Sequence, residues 1–357
     1  MSLTGLYVSM YDSLEILFKE LQRLNYIVVG YKVVGNVLRL TRLDSIEELA
    51  RNVEDIQNPG KYSLVPGSFY RHGPDSPKRY LYPPEHLLFT VSPEWRVELP
   101  TAPEDRIAFF GIKPCDLASI KVLDRVLLNV DDYYTTLRKK LVVIVENCTQ
   151  PGNTCFCATM GTGPRAMNGF DIAFTKLGSK LVVEAGSEFG LKLLNLLELE
   201  PIDDNTYRDF ESTIRRATDK AKAGFELENL PELLELNIES KVYKEITERC
   251  LGCTNCNMVC PTCFCFDTLD IPELNGSAKR VRVWDGCLNF IYAQVAGGHF
   301  RYDLWARYRH FILHKFTYWI KQFGTYGCVG CGRCVTWCPT GIDIRESVRK
   351  VLRGSAV

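Results

Sequence analysis

The chain has 357 residues, 46% hydrophobic and 24% charged, which is an ordinary globular composition and argues against a disordered or fibrous chain. Its 43 Lys and Arg balance 43 Asp and Glu, so the chain as a whole is not built to coat nucleic acid. No apolar run is long enough to span a bilayer and the start, MSLTGLYVSMYDSLE, carries no secretory pattern, so no membrane association and a cytoplasmic location are expected.

In chain order, Tyr11–Asn25 places Leu14, Leu17, Phe18 and Leu21 on one face and predicts an amphipathic helix. Tyr26–Val34 and Asn36–Leu40 predict strands around a turn at Gly35, and Asp44–Asn52 a short helix. Pro66–Pro84, rich in Pro, Gly, Tyr and Arg, predicts an ordered but irregular loop. Arg106–Ile112 and Leu141–Val145 are continuous apolar runs, as strands buried on both faces require. The helical stretch Asp116–Leu128 between them implies a parallel sheet. Lys180–Glu184 adds a strand and Ser187–Leu197 a helix, and the charged Asn205–Gly224 predicts a surface helix. The expected fold is an α/β amino-terminal domain, residues 1–240, followed by a ferredoxin-like domain, residues 241–357. Residues 288–323 form a helical insertion in the second domain, interrupted at Gly297-Gly298.

Fifteen cysteines set this chain apart, and clustered thiols in a reducing compartment point to metal. Cys250-x2-Cys253-x2-Cys256-x3-Cys260-Pro261 and Cys328-x2-Cys331-x2-Cys334-x3-Cys338-Pro339 have identical spacings. Two-residue gaps let one tight loop aim three sulfurs at three corners of a cube. The three-residue gap carries the last sulfur away, and in two-cluster ferredoxins it serves the other cube. One [4Fe–4S] cluster is therefore assigned to Cys250, Cys253, Cys256 and Cys338, and the other to Cys328, Cys331, Cys334 and Cys260. Structural zinc favours paired C-x2-C knuckles instead.

Cys115 and Cys148 each follow a predicted parallel strand, at the edge where open α/β sheets bind their ligands. With Cys155 and Cys157 they supply the four thiols of a third [4Fe–4S] cluster; buried structural cysteine is the alternative. Cys263, Cys265 and Cys287 are open between a metal site lacking a ligand, a redox pair and packing. Residues 241–357 carry 16 Lys and Arg against 9 Asp and Glu, an excess that anionic clusters would offset. Arg301, Arg307, Arg309, Lys315 and Arg333 are read as compensating or interface groups, with a solvated helix face as the alternative for 301–315. The amides of Gly252, Gly327, Gly330 and Gly332 are candidates to hydrogen-bond the sulfurs. His310 and His314 share a helix face and are read as packing rather than metal ligands. No nucleotide fingerprint is evident, and Gly161–Pro164 reads as a turn.

Taken together, SPKRYLYPPEHLLF (76–89), FFGIKPCDLASIKVLDRV (109–126), ENCTQPGNTCFCATMGTGP (146–164), WDGCLNF (284–290), GGHFRYDLWARYRHFILHKF (297–316) and the two cysteine runs resemble a known family. It comprises the beta subunits of cytoplasmic sulfhydrogenase ([NiFe] hydrogenase) complexes and the related iron–sulfur subunit of anaerobic sulfite reductase. The resemblance implies an iron–sulfur electron-transfer subunit, not itself catalytic. Its implied partners are a flavoprotein subunit binding FAD and NAD(P)H, and a catalytic hydrogenase or reductase subunit. A rival expectation is an enzyme acting on sulfite or polysulfide in its own amino-terminal crevice.

Overall fold

The structure, a computed structural model, describes residues 5–354. Its main strands are β1 (Leu6–Met10), β2 (Ile27–Val34), β3 (Val37–Arg42), β4 (Val53–Asn58), β5 (Lys61–Pro66), β6 (Glu85–Val91), β7 (Val97–Glu98), β8 (Ile107–Ile112), β9 (Val142–Glu146), β10 (Ile172–Leu177), β11 (Lys180–Ala185), β12 (Glu200–Pro201), β13 (Phe266–Pro272) and β14 (Ala278–Trp284). Eight of them form one mixed sheet in the order β12-β1-β11-β10-β9-β8-β2-β3. Its centre is parallel, β8 lying between β2 and β9, with β10 beyond β9.

Every residue of β8 and β9 is buried, which is why both read as unbroken apolar runs. Alternate side chains feed opposite layers. Phe109 and Val143 pack toward the helix Pro114–Leu127, whereas Phe110 and Ile144 pack against Leu14, Leu17, Phe18 and Leu21 of the helix Ser13–Arg23. Burying one such aromatic ring contributes about 1.5–3 kcal/mol. Pro114 opens its helix at the position where a missing N–H costs nothing.

The sheet β13-β14-β6-β7 joins residues far apart in the chain, β14 pairing antiparallel with β6. The expected helix at 44–52 shrinks to the short turn Ile46–Glu48, and the hairpin β4–β5 follows it. The expected insertion at 288–323 is helical only in its second half. Residues 288–303 form turns and a two-stranded ladder, Gln294–Val295 with Gly298–His299. Gly297-Gly298 therefore closes a hairpin rather than breaking a helix. A helix starts at Leu304, passes through a π-turn at His314–Tyr318 and ends at Phe323, where Gly324 takes a left-handed conformation. Among the described residues, no helix is long and apolar enough to cross a membrane.

Within that helix His310 and His314 stack at 5.4 Å, and His310 shares a hydrogen bond with the Tyr292 hydroxyl. Burial holds the two imidazoles down to about 3 and about 4, so both are neutral in the folded chain. The unfolded chain takes up protons at these sites below about pH 6.5. Their contribution to stability is therefore complete above that pH and falls as pH drops toward about 4. His310→Phe/His314→Phe is expected to flatten this limb, read as the urea midpoint between pH 7 and pH 5 under anaerobic conditions.

Candidate metal centre

The two ferredoxin motifs fold alike. Gly252 and Thr254 take left-handed conformations around Cys253, and Gly330 and Gly332 do the same around Cys331. Each loop thereby curls through a turn most side chains resist. Each then enters a four-residue helix that holds the third cysteine, Asn255–Met258 with Cys256 and Arg333–Thr336 with Cys334.

The fourth cysteine of each motif faces the other loop. Cys338 and Cys334 line one cavity with Cys250, Cys253 and Cys256. Cys260 stands with the other loop, where its charge acts on Cys328, Cys331 and Cys334. Cys115, Cys148, Cys155 and Cys157 line a further enclosed cavity, and Cys331 borders it. Cys115 sits in the first turn of the helix after β8 and Cys148 two residues past β9, as strand order requires. Between them a buried ion pair, Lys113 Nζ to Glu146 Oε2 at 2.8 Å, ties the ends of the two strands. Among the described residues, no three His, Cys, Asp or Glu side chains gather as they would around a single ion. A cubane spreads its thiolates around a multi-atom core instead.

The 4Fe-4S dicluster domain matches residues 249–342. No solved structure matches the chain. Over 283 residues the chain is 33% identical to sulfhydrogenase 2 subunit beta of Pyrococcus furiosus, an alignment covering 78% of this chain and 83% of that protein. This chain belongs to the sulfhydrogenase beta-subunit family. It is an iron–sulfur, electron-transfer protein that carries [4Fe–4S] clusters.

In this family member the thiols are prepared by burial. Burial pushes Cys155 and Cys328 up to about 12 and raises Cys115, Cys148 and Cys157 as well. Metal uptake there must release protons, so it weakens as pH falls. Cys260 is the exception. A hydrogen bond from Cys263, reinforced by Lys315, holds it well below the ordinary thiol range.

Of the five basic residues singled out from sequence, Lys315 meets sulfur most directly. Its Nζ lies 3.1 Å from Cys260 Sγ and 3.5 Å from Cys263 Sγ, presented by the π-turn. Arg333 is buried against Asp116, Arg307 binds the Leu288 carbonyl, and Arg309 pairs with Glu239. Among the glycine amides, Gly330 donates to Cys328 Sγ at 3.4 Å, but Gly327 donates to the Lys315 carbonyl. Sequence reasoning missed Ile342, whose amide donates to Cys338 Sγ at 3.3 Å. Nothing in an isoleucine marks its backbone as a sulfur donor.

The second ferredoxin loop is clamped to the loop of Cys155 and Cys157. Phe156 N–H donates to the Gly330 carbonyl at 2.7 Å, and Thr162 Oγ1 to the Val329 carbonyl at 2.6 Å. A Cβ on Gly332 would lie 2.4 Å from the Thr154 carbonyl oxygen. Gly332→Ala is therefore expected to destabilise by more than the roughly 1–2 kcal/mol that left-handed strain alone costs. Gly324→Ala, equally left-handed but with nothing within 4 Å, serves as the control. Thermal denaturation of the two variants should separate them.

Proposed function

We propose that this chain is the relay subunit of a cytoplasmic oxidoreductase complex. In that complex it passes electrons between a flavoprotein subunit using NAD(P)H and a catalytic subunit of the hydrogenase type. Residues 241–357 form the two-cluster part. Residues 1–240 form an α/β part that holds a third cluster through Cys115, Cys148, Cys155 and Cys157. Each cluster, when bound, accepts and releases one electron at a time.

The observation that carries the reading is the continuity of the cysteine sets. Cys253 is exposed, beside Leu251 at 68% exposure, so one end of the series lies at the surface. Cys334 of the central set borders the cavity of the first set, and Cys331 borders that of the third. The central set therefore shares a cavity wall with each neighbour. The protein's own part is to fix the sulfurs, exclude water and place cations such as Lys113 and Lys315 beside them.

Enclosure favours this relay over an enzyme acting on sulfite or polysulfide in the same crevice. Cys115, Cys155 and Cys157 are each at most 7% exposed, leaving little sulfur surface for a substrate.

In the purified complex, Cys328→Ala/Cys331→Ala is expected to cut electron flow from NAD(P)H to the catalytic subunit to background. Dye reduction measured separately at each of those subunits should persist. Undiminished through-flow would sink the proposal, as would sulfite or polysulfide reduction by the isolated chain with a viologen donor.

A further inference from the structure

Three cysteines stand outside all three sets, and the fold brings them together. Cys263 and Cys265 precede β13, and Cys287 follows β14. The antiparallel register pairs Phe266 with Trp284, so the open end of this hairpin sets Cys265 beside the residues leading to Cys287. There the Asp285 amide donates to the Cys265 carbonyl at 3.0 Å. Asn257, 1% exposed, closes the group from the ferredoxin side. Its Nδ2 lies 3.4 Å from Cys287 Sγ and 3.7 Å from Cys263 Sγ, while its Oδ1 has no partner. Asn257 Nδ2 therefore faces two of the three sulfurs at once, and either can accept from it.

Two ammonium groups lie buried at the same place. Lys315 Nζ contacts Cys260 and Cys263, and Lys78 Nζ donates to the Cys263 carbonyl at 3.0 Å and stands 3.8 Å over the Trp284 ring. Lys315 is 4% exposed and Lys78 2%. Among the described ion pairs neither has a carboxylate partner. A buried cation needs an anion nearby. The central ferredoxin set, through Cys260, supplies one for Lys315. Lys78 donates to the Cys263 carbonyl and feels the charges of Cys263, Cys260 and Cys265 together.

We infer that Cys263, Cys265 and Cys287 hold a further iron–sulfur core through three thiolates, with a non-thiol ligand at its fourth corner. The Asp285 carboxylate, two residues before Cys287, is the oxygen donor that the hairpin brings to this group. Soft thiolates select iron–sulfur cores or zinc over hard cations. The core lies beside both ferredoxin sets, because Lys315 Nζ bridges Cys263 to Cys260, and Asn257, the residue after Cys256, reaches Cys287 and Cys263. Three-thiolate ligation leaves one iron distinct from the others. This site goes beyond the relay reading and is independent of the Cys115 set.

The test is iron and acid-labile sulfide per chain after anaerobic reconstitution of the full chain. Cys263→Ala/Cys265→Ala/Cys287→Ala is expected to lose about three to four irons relative to the parent chain while the ferredoxin signals persist in paramagnetic resonance. Iron content equal to the parent's overturns the proposal, and so does zinc lost in place of iron. Should the triple variant fail to fold, Cys287→Ser decides. Serine ligation should shift the resonance of one centre alone, and an unchanged spectrum overturns the site. Cys115→Ala/Cys148→Ala, measured in parallel, reports the third set separately, so failure of one assignment is not mistaken for failure of the other.

Discussion

Asp116→Ala is expected to destabilise the chain by about 3–5 kcal/mol, because it leaves a buried guanidinium without its carboxylate. Asp116 and Arg333 are both fully buried, 2.7 Å apart. Tyr31 donates to the same carboxylate at 2.6 Å, and Arg333 also donates to the Gly73 carbonyl. Arg333 Nη1 already lacks a partner, so the site has no spare acceptor to take over. The effect should reach the metal centre as well, since Arg333 lies between Cys331 and Cys334 and Asp116 follows Cys115. Asp116→Leu/Arg333→Met removes both charges together and should lose much less than the two single changes summed. Urea denaturation under anaerobic conditions, with iron counted alongside, measures both effects. A loss below about 1 kcal/mol for Asp116→Ala would reduce the pair to the worth of a surface ion pair.

Cys338→Ala should abolish the same cluster as Cys253→Ala, not the one lost in Cys328→Ala. In the chain Cys338 closes the second motif, yet in space it lines the cavity of Cys250, Cys253 and Cys256. Cys260→Ala should in turn match Cys328→Ala. Each variant is expected to lose about four irons per chain. Paramagnetic resonance of dithionite-reduced samples identifies which signal has gone. A Cys338→Ala spectrum matching Cys328→Ala would mean that each motif closes on itself.

The two ferredoxin loops were legible because their information is local: spacing fixes each loop and the short helix that follows it. The buried strands β8 and β9 and the helix stripe of Leu14, Leu17, Phe18 and Leu21 were legible for the same reason. The rest depends on pairings across long stretches of chain. No pattern near residue 85 announces that β6 will receive β14, and so the grouping of Cys265 with Cys287 was hidden in the hairpin register. Charge counting found an excess of cations but could not sort them. Lys315 reaches sulfur because a π-turn aims it, whereas Arg333 is shared between the Asp116 carboxylate and the charge of Cys331. At 288–303, aromatic and apolar residues resembled a helix, but the glycine pair folds them into a ladder.

The bond between Arg333 and Asp116 spans 217 residues. During synthesis the ribosome must deliver almost the whole chain before the helix after β8 can bury its acid against a cation. Until then that acid has only the Tyr31 hydroxyl and the Lys113 amide as partners, and the layer over the sheet stays unfinished, an arrangement that slows folding and lengthens exposure to aggregation.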